Sequence, residues 1–328
     1  MVLQLIAGLL TILIGAELFT NAVEWLGSRL GLSEGAVGNL LAAVGTALPE
    51  SIIPLVAFLA GNKEAMHIGV GAILGAPFML GTLAMFVTGF TAWILRGRRS
   101  GRMAMQVDAQ AISRDLRYFI IMYAVAFSVA FLPEGSKPVM AVLLVLGYLF
   151  YAWTAVHSGQ SVSEEGMHPL YFSKKSRPSG FLIILQLVLG LGAIVGGARY
   201  FVNGIEYAAS LYGIHPLVLS MIIAPVATEL PEKFNSVIWV SRGKDSLALG
   251  NITGAMVFQS TMIPAMGILL SDWALNRTAG LSSLILLCTT GGLYLTIRRK
   301  NCVPVLSLIC CGLGYLVFLL AILWSIMA

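Results

Sequence analysis

Ten apolar segments, each long enough to cross a lipid bilayer as a helix, follow one another along the chain. A spanning helix needs about 20 predominantly apolar residues. Only 11% of the 328 residues are charged, against about 25% in soluble domains. The sequence therefore predicts an all-α integral membrane protein. The ten predicted spans are 3–27, 35–60, 66–95, 117–133, 138–157, 180–206, 215–240, 246–270, 279–297 and 303–326.

The distribution of lysine and arginine predicts the orientation of these spans. Loops after the odd-numbered spans hold 15 basic residues, and loops after the even-numbered spans hold three. Because cytoplasmic loops carry the excess of basic residues, we expect the odd-numbered loops to face the cytoplasm and both termini to lie outside. The positive net charge then reflects topology, and we expect no nucleic-acid partner. The short loops favour a prokaryotic plasma (inner) membrane.

An internal repeat divides the chain into two halves. Residues 16–50 align without a gap to residues 198–232, and 12 of the 35 positions are identical. This alignment predicts a first five-helix repeat over 1–157, a cytoplasmic linker over 158–178 and a second five-helix repeat over 179–328. The repeated motifs cover 38–80 and 220–259. Because each half has an odd number of spans, the repeats must be inverted, as in many secondary transporters.

Each repeat places a glutamate directly after a proline in mid-span, Glu50 in the first and Glu232 in the second. A charged side chain at a helix centre costs about 2.5–3.5 kcal/mol on insertion scales, so it indicates a function. Proline has no N–H, which leaves the carbonyl oxygen four residues earlier without its usual donor. A threonine also precedes each glutamate by four residues, on the same helix face. These residues are Gly45 and Thr46 in the first repeat and Ala227 and Thr228 in the second.

All of these groups would offer oxygen atoms to a ligand. Oxygen donors suit Ca²⁺, Mg²⁺, Mn²⁺ or Na⁺ better than Zn²⁺ or Cu⁺. Two carboxylates could neutralise one divalent ion. The sequence therefore predicts a cation site near the membrane midplane, formed by both repeats and without a cofactor.

The two copies differ at one position beside the predicted site. Glu229 in the second repeat corresponds to Ala47 in the first. Glu229 could be a third cation ligand, a proton carrier, or the partner of Lys233 in an ion pair along the helix. The sequence leaves these three roles open.

The stretches "GTALPE" (45–50) and "ATELPE" (227–232) resemble the G-T-S-L-P-E signature of the calcium/cation antiporter superfamily, in particular of prokaryotic sodium/calcium exchanger-like proteins. The resemblance covers essentially the whole chain. It implies the sodium/calcium exchanger fold, with ten transmembrane helices as two inverted five-helix repeats and with the second and seventh helices broken at their prolines. It also implies that Glu50 and Glu232 bind Ca²⁺ and that Thr46 and Thr228 contribute oxygens.

The third and eighth spans depart from the pattern of this family, which is G-N-x-x-G-S-N-x-x-N or a close variant. The eighth span reads "GNITGAMVFQ" (250–259), and the resemblance assigns cation contacts to its Asn251 and Gln259. The third span reads "GAILGAPFML" (71–80), so several oxygens expected to bind Na⁺ are missing there. The expected polar positions hold Ala72, Ala76, Pro77 and Leu80.

The sequence and the resemblance together predict a secondary active antiporter that exchanges Ca²⁺ for Na⁺ by alternating access. Its partners would be inorganic cations and the lipid bilayer, and we expect a monomer. The alternatives are an exchanger coupled to H⁺, an exchanger for K⁺, Mg²⁺ or Mn²⁺, and a transport-inactive homologue that senses cations. An intramembrane protease is disfavoured because the chain has no H-E-x-x-H motif and no paired intramembrane aspartates, so we expect no enzyme.

Overall fold

The computed structural model describes residues 2–29, 42–97, 103–157, 169–173 and 178–327. Within these ranges, the side chains of 27–28, 42–48, 155–157, 227, 230–235 and 325–327 are not described. The described ranges contain ten helical segments in the order of the ten predicted spans. Among the described residues, seven helices are long and apolar enough to cross a membrane by length and composition. The all-α membrane architecture is confirmed.

The first half of the chain forms five helical segments, and the third of them contains a π-helical turn, Leu80–Ala84, between two α-helices. The α-helices are α1 Val2–Arg29, α2 Ala42–Ala60, α3 Lys63–Met79, α4 Met85–Ile94, α5 Ala109–Ser128 and α6 Lys137–His157. Residues 35–41 of the predicted second span lie outside the described residues.

The second half forms the other five segments, and the eighth is divided into two helices. The helices are α7 Gly180–Tyr212, α8 Pro216–Ser241, α9 Asp245–Gln259, α10 Met262–Leu270, α11 Arg277–Lys300 and α12 Val305–Met327. Two short antiparallel strands, β1 (Ala104–Met105) and β2 (Val303–Pro304), pair with Met105 opposite Val303.

Polar and glycine residues fix the helix ends where the apolar segments stop. The Asp108 carboxylate accepts the N–H of Gln110 at 2.8 Å at the start of α5. The Asn276 side chain accepts the N–H of Ala279 at 2.8 Å at the start of α11. Gly213 ends α7 with a φ of 64°, a left-handed conformation that glycine adopts without steric cost.

The chain divides into two compact units, and each contains helices from both sequence halves. The first unit comprises 1–69 and 153–213, and the second comprises 70–152 and 214–328. These units do not coincide with the two predicted five-helix repeats, so the repeat boundaries stay a prediction from the sequence. Of the predicted linker, 158–168 and 174–177 lie outside the described residues.

Helices α1 and α7 of the first unit pack antiparallel through glycines that the repeat relates. A Cβ atom built on Gly8 would lie 3.0 Å from the carbonyl oxygen of Gly197, and one built on Gly190 would lie 3.0 Å from that of Gly15. Gly190 and Gly197 follow Gly8 and Gly15 by 182 residues, which is the offset of the aligned repeats. Small residues let membrane helices approach closely. The two helices therefore meet across a local two-fold axis, as inverted repeats require.

A buried amide network in the first unit holds part of the linker against α1 and α7. Gln186 is fully buried, and its Nε2 donates to the Leu18 carbonyl oxygen and to Asn21 Oδ1, both at 2.9 Å. Its Oε1 accepts the N–H of Phe172 at 3.0 Å, and Asn21 Oδ1 accepts that of Tyr171 at 3.3 Å. This network gives Asn21, which recurs in the second repeat as Asn203, a structural role.

In the second unit, loops that follow odd-numbered segments contact one another at one end of the helices, and loops that follow even-numbered segments contact one another at the other end. The loop after the third segment pairs with the loop after the ninth through β1 and β2. It also contacts the start of α9, where the N–H of Gln106 donates to Asp245 Oδ2 at 2.7 Å. At the other end, Lys137 Nζ donates to the Asp272 carbonyl oxygen, which joins the loops after the fourth and eighth segments. This arrangement agrees with the alternation of loops that the predicted topology requires.

One expectation about the helices is wrong. The resemblance implies breaks at Pro49 and Pro231, but α2 and α8 continue through both residues. Proline removes one backbone hydrogen bond, and the freed carbonyl can find another partner in a membrane protein without the helix ending. The interruptions occur instead in the third and eighth segments.

Candidate cation site

Helix α8 buries two neighbouring polar residues of the second sequence motif. Thr228 is 4% exposed and Glu229 is 1% exposed. The Thr228 hydroxyl donates to the Ala224 carbonyl oxygen at 3.1 Å, so its proton is used within the helix and its oxygen lone pairs stay available to a cation. Burying an ionised carboxylate costs several kcal/mol unless the charge is compensated. Glu229 therefore indicates a functional position.

The Glu229 carboxylate has a buried amide partner on the neighbouring helix. Gln259, the last residue of α9, is 1% exposed, and its Nε2 donates to Glu229 Oε1. The ion pair with Lys233, one of the three roles left open for Glu229, stays a prediction because the Lys233 side chain lies outside the described residues. The contact with Gln259 joins a predicted ligand of the eighth span to a predicted ligand of the seventh.

The eighth segment is interrupted directly after Gln259. Ser260 and Thr261 separate α9 from α10, and both are fully buried. Their hydroxyls donate to the Val257 carbonyl oxygen at 2.9 and 2.7 Å. Interrupted helices in transporters expose backbone and side-chain oxygens to bound ions. The sequence interpretation missed Ser260 and Thr261, although three consecutive polar residues in an apolar span are a signal for such an interruption.

The third segment has its π-helical turn at the corresponding place in the first repeat. Leu80 precedes Gln259 by 179 residues, which is the offset between the "GAILGA" and "GNITGA" stretches. Thr82, at the position of Thr261, donates its hydroxyl to the Phe78 carbonyl oxygen, also four residues back. π-helical turns occur frequently at functional sites. Both repeats therefore have an irregular helical turn at corresponding positions. The position of Leu80 in the first repeat is occupied by the polar Gln259 in the second.

The glycines of "GAILGA" serve helix packing in the second unit. A Cβ atom at Gly71 would overlap the Ser220 side chain and the Leu217 carbonyl oxygen of α8, and one at Gly75 would overlap the Met221 carbonyl oxygen. The residues between and after these glycines are buried and apolar, which agrees with the missing sodium ligands in this span. They include Ala72, Ala76, Pro77 and Leu80.

The remaining predicted ligands are only partly described. Glu50 is partly exposed on α2 of the first unit, directly after the buried Pro49. Asn251 is partly exposed on α9 of the second unit. The helix backbone passes through four further predicted positions, whose surroundings lie outside the described part of the structure. They are Gly45, Thr46, Ala227 and Glu232.

No group of three or more histidine, cysteine, aspartate or glutamate side chains that could hold a metal ion occurs among the described residues. Of the three glutamates predicted beside the site, only Glu50 and Glu229 have described side chains, so the described residues supply at most two of these carboxylates. In the second unit, the described part of the candidate site contributes the carboxylate of Glu229 and the neutral oxygens of Thr228, Asn251 and Gln259. In the first unit, it contributes the carboxylate of Glu50.

Glu206, which recurs in the repeat as Glu24, lies in a separate cavity of the first unit. The cavity has a volume of about 370 Å³ and is also lined by Asn62, Glu64 and Ser210. Asn62 lies in the loop between α2 and α3. This position at a helix end favours an interfacial role for Glu206 over a place in the candidate site.

The sequence and the fold both match known cation exchangers. A family model described as "Sodium/calcium exchanger protein" matches residues 1–156 and 182–324. "Putative antiporter CaxA" of Alkalimonas amylolytica is 24% identical over 320 residues, which cover 94% of this chain and 95% of that protein. "Sodium/calcium exchanger MaX1" of Methanosarcina acetivorans is 27% identical over 290 residues, with coverages of 78% and 79%.

A crystal structure of the H⁺/Ca²⁺ exchanger CAX superposes on this chain with a TM-score of 0.74 at 20% identity, covering 97% of this chain and 81% of that one. This similarity shows a common fold. The family match extends over most of both sequence halves. The chain is therefore an integral membrane protein that belongs to the sodium/calcium exchanger protein family, whose members are cation transporters and not enzymes.

Proposed function

We propose that this protein exchanges Ca²⁺ for Na⁺ across a prokaryotic plasma membrane by alternating access, with both termini outside. Glu50 and Glu232 are the principal cation ligands in this proposal. Glu229 is a third acidic ligand, and neutral oxygens complete the coordination. The neutral donors are the carbonyl groups of Gly45 and Ala227 and the side chains of Thr46, Thr228, Asn251 and Gln259.

The buried contact between Glu229 and Gln259 is the observation that carries this proposal. It brings a carboxylate and an amide together beside an interrupted helix. Both groups offer hard oxygen atoms, which Ca²⁺ and Na⁺ prefer. A purely structural contact would not need an ionisable group in a buried position at membrane depth, where such residues mark ion pathways.

Coupling follows from the charge of the site. An empty site with two or three carboxylates is costly to move across an apolar barrier, because each uncompensated charge must be desolvated. A bound Ca²⁺ or the driving ions compensate that charge. The protein can therefore change its open side only when one or the other is bound, which makes the two fluxes obligatory partners.

A second candidate function is exchange of Ca²⁺ for H⁺, and Glu229 favours it. Glu229 provides a buried protonatable group where the first repeat has Ala47. The buried Ala72, Ala76 and Leu80 of the third segment lack the oxygens that would bind additional Na⁺. In this case Glu229 would take up a proton as Ca²⁺ leaves.

The test is uptake of ⁴⁵Ca²⁺ into proteoliposomes, driven separately by an outward Na⁺ gradient and an outward H⁺ gradient. We expect uptake under the Na⁺ gradient and a reduction of at least about tenfold in Glu232→Gln, since a lost charged interaction is worth about 1.5–3 kcal/mol. Glu64→Gln is the matched control, because Glu64 is an exposed glutamate in the first turn of α3, outside the proposed ligand set, and its variant should transport normally.

Each alternative predicts a different result. Uptake under the H⁺ gradient alone, abolished in Glu229→Gln, would replace Na⁺ by H⁺ as the driving ion. Absence of Ca²⁺ uptake under both gradients, with K⁺, Mg²⁺ or Mn²⁺ transported instead, would overturn the calcium assignment. Cation binding without any transport would identify a cation-sensing homologue.

A further inference from the structure

A basic cleft lies in the second unit, between the start of α5 and the end of α11. It has a volume of about 450 Å³. Its lining includes three arginines, two from the first turns of α5 and one from the last turn of α11. The lining residues relevant to ligand binding are Ser113, Arg114, Arg117 and Arg298.

The cleft carries positive charge that protein groups do not fully compensate. Arg114 is paired with the Asp115 carboxylate at 3.2 Å. Arg117 and Arg298 are exposed, and neither has a carboxylate within ion-pair distance among the described residues. Arginine presents a planar set of donors that matches phosphate geometry. Two such groups on the walls of one cleft favour a phosphate ligand.

Ser113 supplies an independent indication that a ligand belongs there. It is 8% exposed, and its Oγ is buried without a hydrogen-bond partner among the described residues. Buried hydroxyl groups nearly always have a partner. Because Ser113 lines the cleft, a ligand oxygen in the cleft could accept its hydroxyl proton.

The helix ends add to the same preference. Ala109 and Gln110, in the first turn of α5, also line the cleft. The N-terminus of a helix carries a partial positive charge and favours anions. The Asp108 carboxylate caps one N–H of this turn, so the arginines rather than the backbone provide most of the attraction.

We propose that this cleft binds a phosphate group, with Arg117, Arg298 and Ser113 as its ligands. The phosphate could belong to an acidic phospholipid headgroup or to a soluble phosphate compound. The cleft lies where α11 ends in Arg298, Arg299 and Lys300, at the predicted cytoplasmic boundary of the membrane. Basic residues at this boundary attract anionic lipids. The proposal does not depend on which ions are transported.

The test uses the full chain purified in a neutral detergent and probes both sources of phosphate. Short-chain phosphatidylglycerol and inorganic pyrophosphate are titrated separately, and binding is measured by native mass spectrometry and by the shift of the unfolding temperature. The cleft variant is Arg117→Gln with Arg298→Gln. The matched control is Arg299→Gln with Lys300→Gln, which removes the same charge from the neighbouring positions outside the cleft lining.

We expect the cleft variant to bind phosphatidylglycerol about 25-fold more weakly, at about fivefold for each basic residue, and the control to bind like the original protein. Ser113→Ala should weaken binding with the arginines intact, and Arg117→Lys with Arg298→Lys should restore part of it. Tighter binding of pyrophosphate than of the lipid, lost in the same variant, would also support the site and assign it to a soluble ligand. Equal weakening in the cleft variant and the control, or no binding of either probe, would overturn the proposal.

Discussion

Replacing Gly15 by alanine at the contact between α1 and α7 should destabilise the protein. The same replacement at Gly197, which the repeat relates to Gly15, should lower the stability by a similar amount. A Cβ atom at Gly15 would lie 2.8 Å from the Gly190 carbonyl oxygen, and one at Gly197 would lie 2.8 Å from that of Gly8. Ordinary contacts of a Cβ atom begin near 3.4 Å. The backbones would have to separate by several tenths of an ångström in either variant.

Two opposing effects set the size of the change. Over-packing of a close contact costs about 1–3 kcal/mol. Alanine is a better helix former than glycine by about 1 kcal/mol. Gly196→Ala on α7 experiences only the second effect, because no described atom lies within 4 Å of its added Cβ. The difference between Gly15→Ala and Gly196→Ala should therefore be about 1–3 kcal/mol, which isolates the cost of over-packing.

The assay is reversible unfolding of the full chain in mixed micelles, followed by circular dichroism. Gly15→Ala and Gly197→Ala should lose similar amounts of stability, and Gly196→Ala should gain or stay unchanged. If Gly15→Ala proves as harmless as Gly196→Ala, the close packing is wrong. If only one of the two repeat-related variants is destabilised, the two-fold relation of this contact is wrong.

Three further variants test buried polar contacts. Gln259→Leu removes the donor to buried Glu229, and thermal unfolding should show a loss of about 1–3 kcal/mol; an unchanged stability would contradict the contact. Gln186→Leu should speed hydrogen exchange at 171–172, since it removes an anchor of that segment; unchanged exchange there would argue against the network. Trp273→Phe removes the indole donor to the Ala126 carbonyl oxygen at 2.9 Å, and denaturant unfolding should show a loss of about 1–3 kcal/mol, whereas a neutral result would exclude this bond.

The sequence predicts the helical segments well because apolar length is a local property. The predicted fifth span, 138–157, differs from α6 by one residue at its start. The fourth span is less well placed, since α5 begins at Ala109 and the prediction began at 117. Arg114, Asp115 and Arg117 made that part of the helix look like a loop, but Asp115 is buried and accepts a hydrogen bond from Thr253 at 2.9 Å.

The candidate site is less predictable because its contacts join distant positions. Glu229 and Gln259 are separately conspicuous as polar residues in apolar spans, but they lie 30 residues apart. Their pairing depends on how α8 and α9 face each other, and no local pattern encodes that. The breaks expected at Pro49 and Pro231 are absent for a related reason, since neighbouring groups in a membrane protein can satisfy the carbonyl oxygen that a proline frees.

The glycine contact between α1 and α7 also constrains how the two halves of the chain can diverge. Each half presents the same surface to the other, so the contact has the self-complementary geometry of a homodimer interface. In a homodimer of identical half-length chains, a single substitution would change both sides of such an interface at once. In the present chain, a larger residue at Gly8 must be accommodated by Gly197 and Phe201. Substitutions outside this contact do not have to be matched in the other half. These four glycine positions should therefore retain small residues even in relatives whose two halves no longer align by sequence.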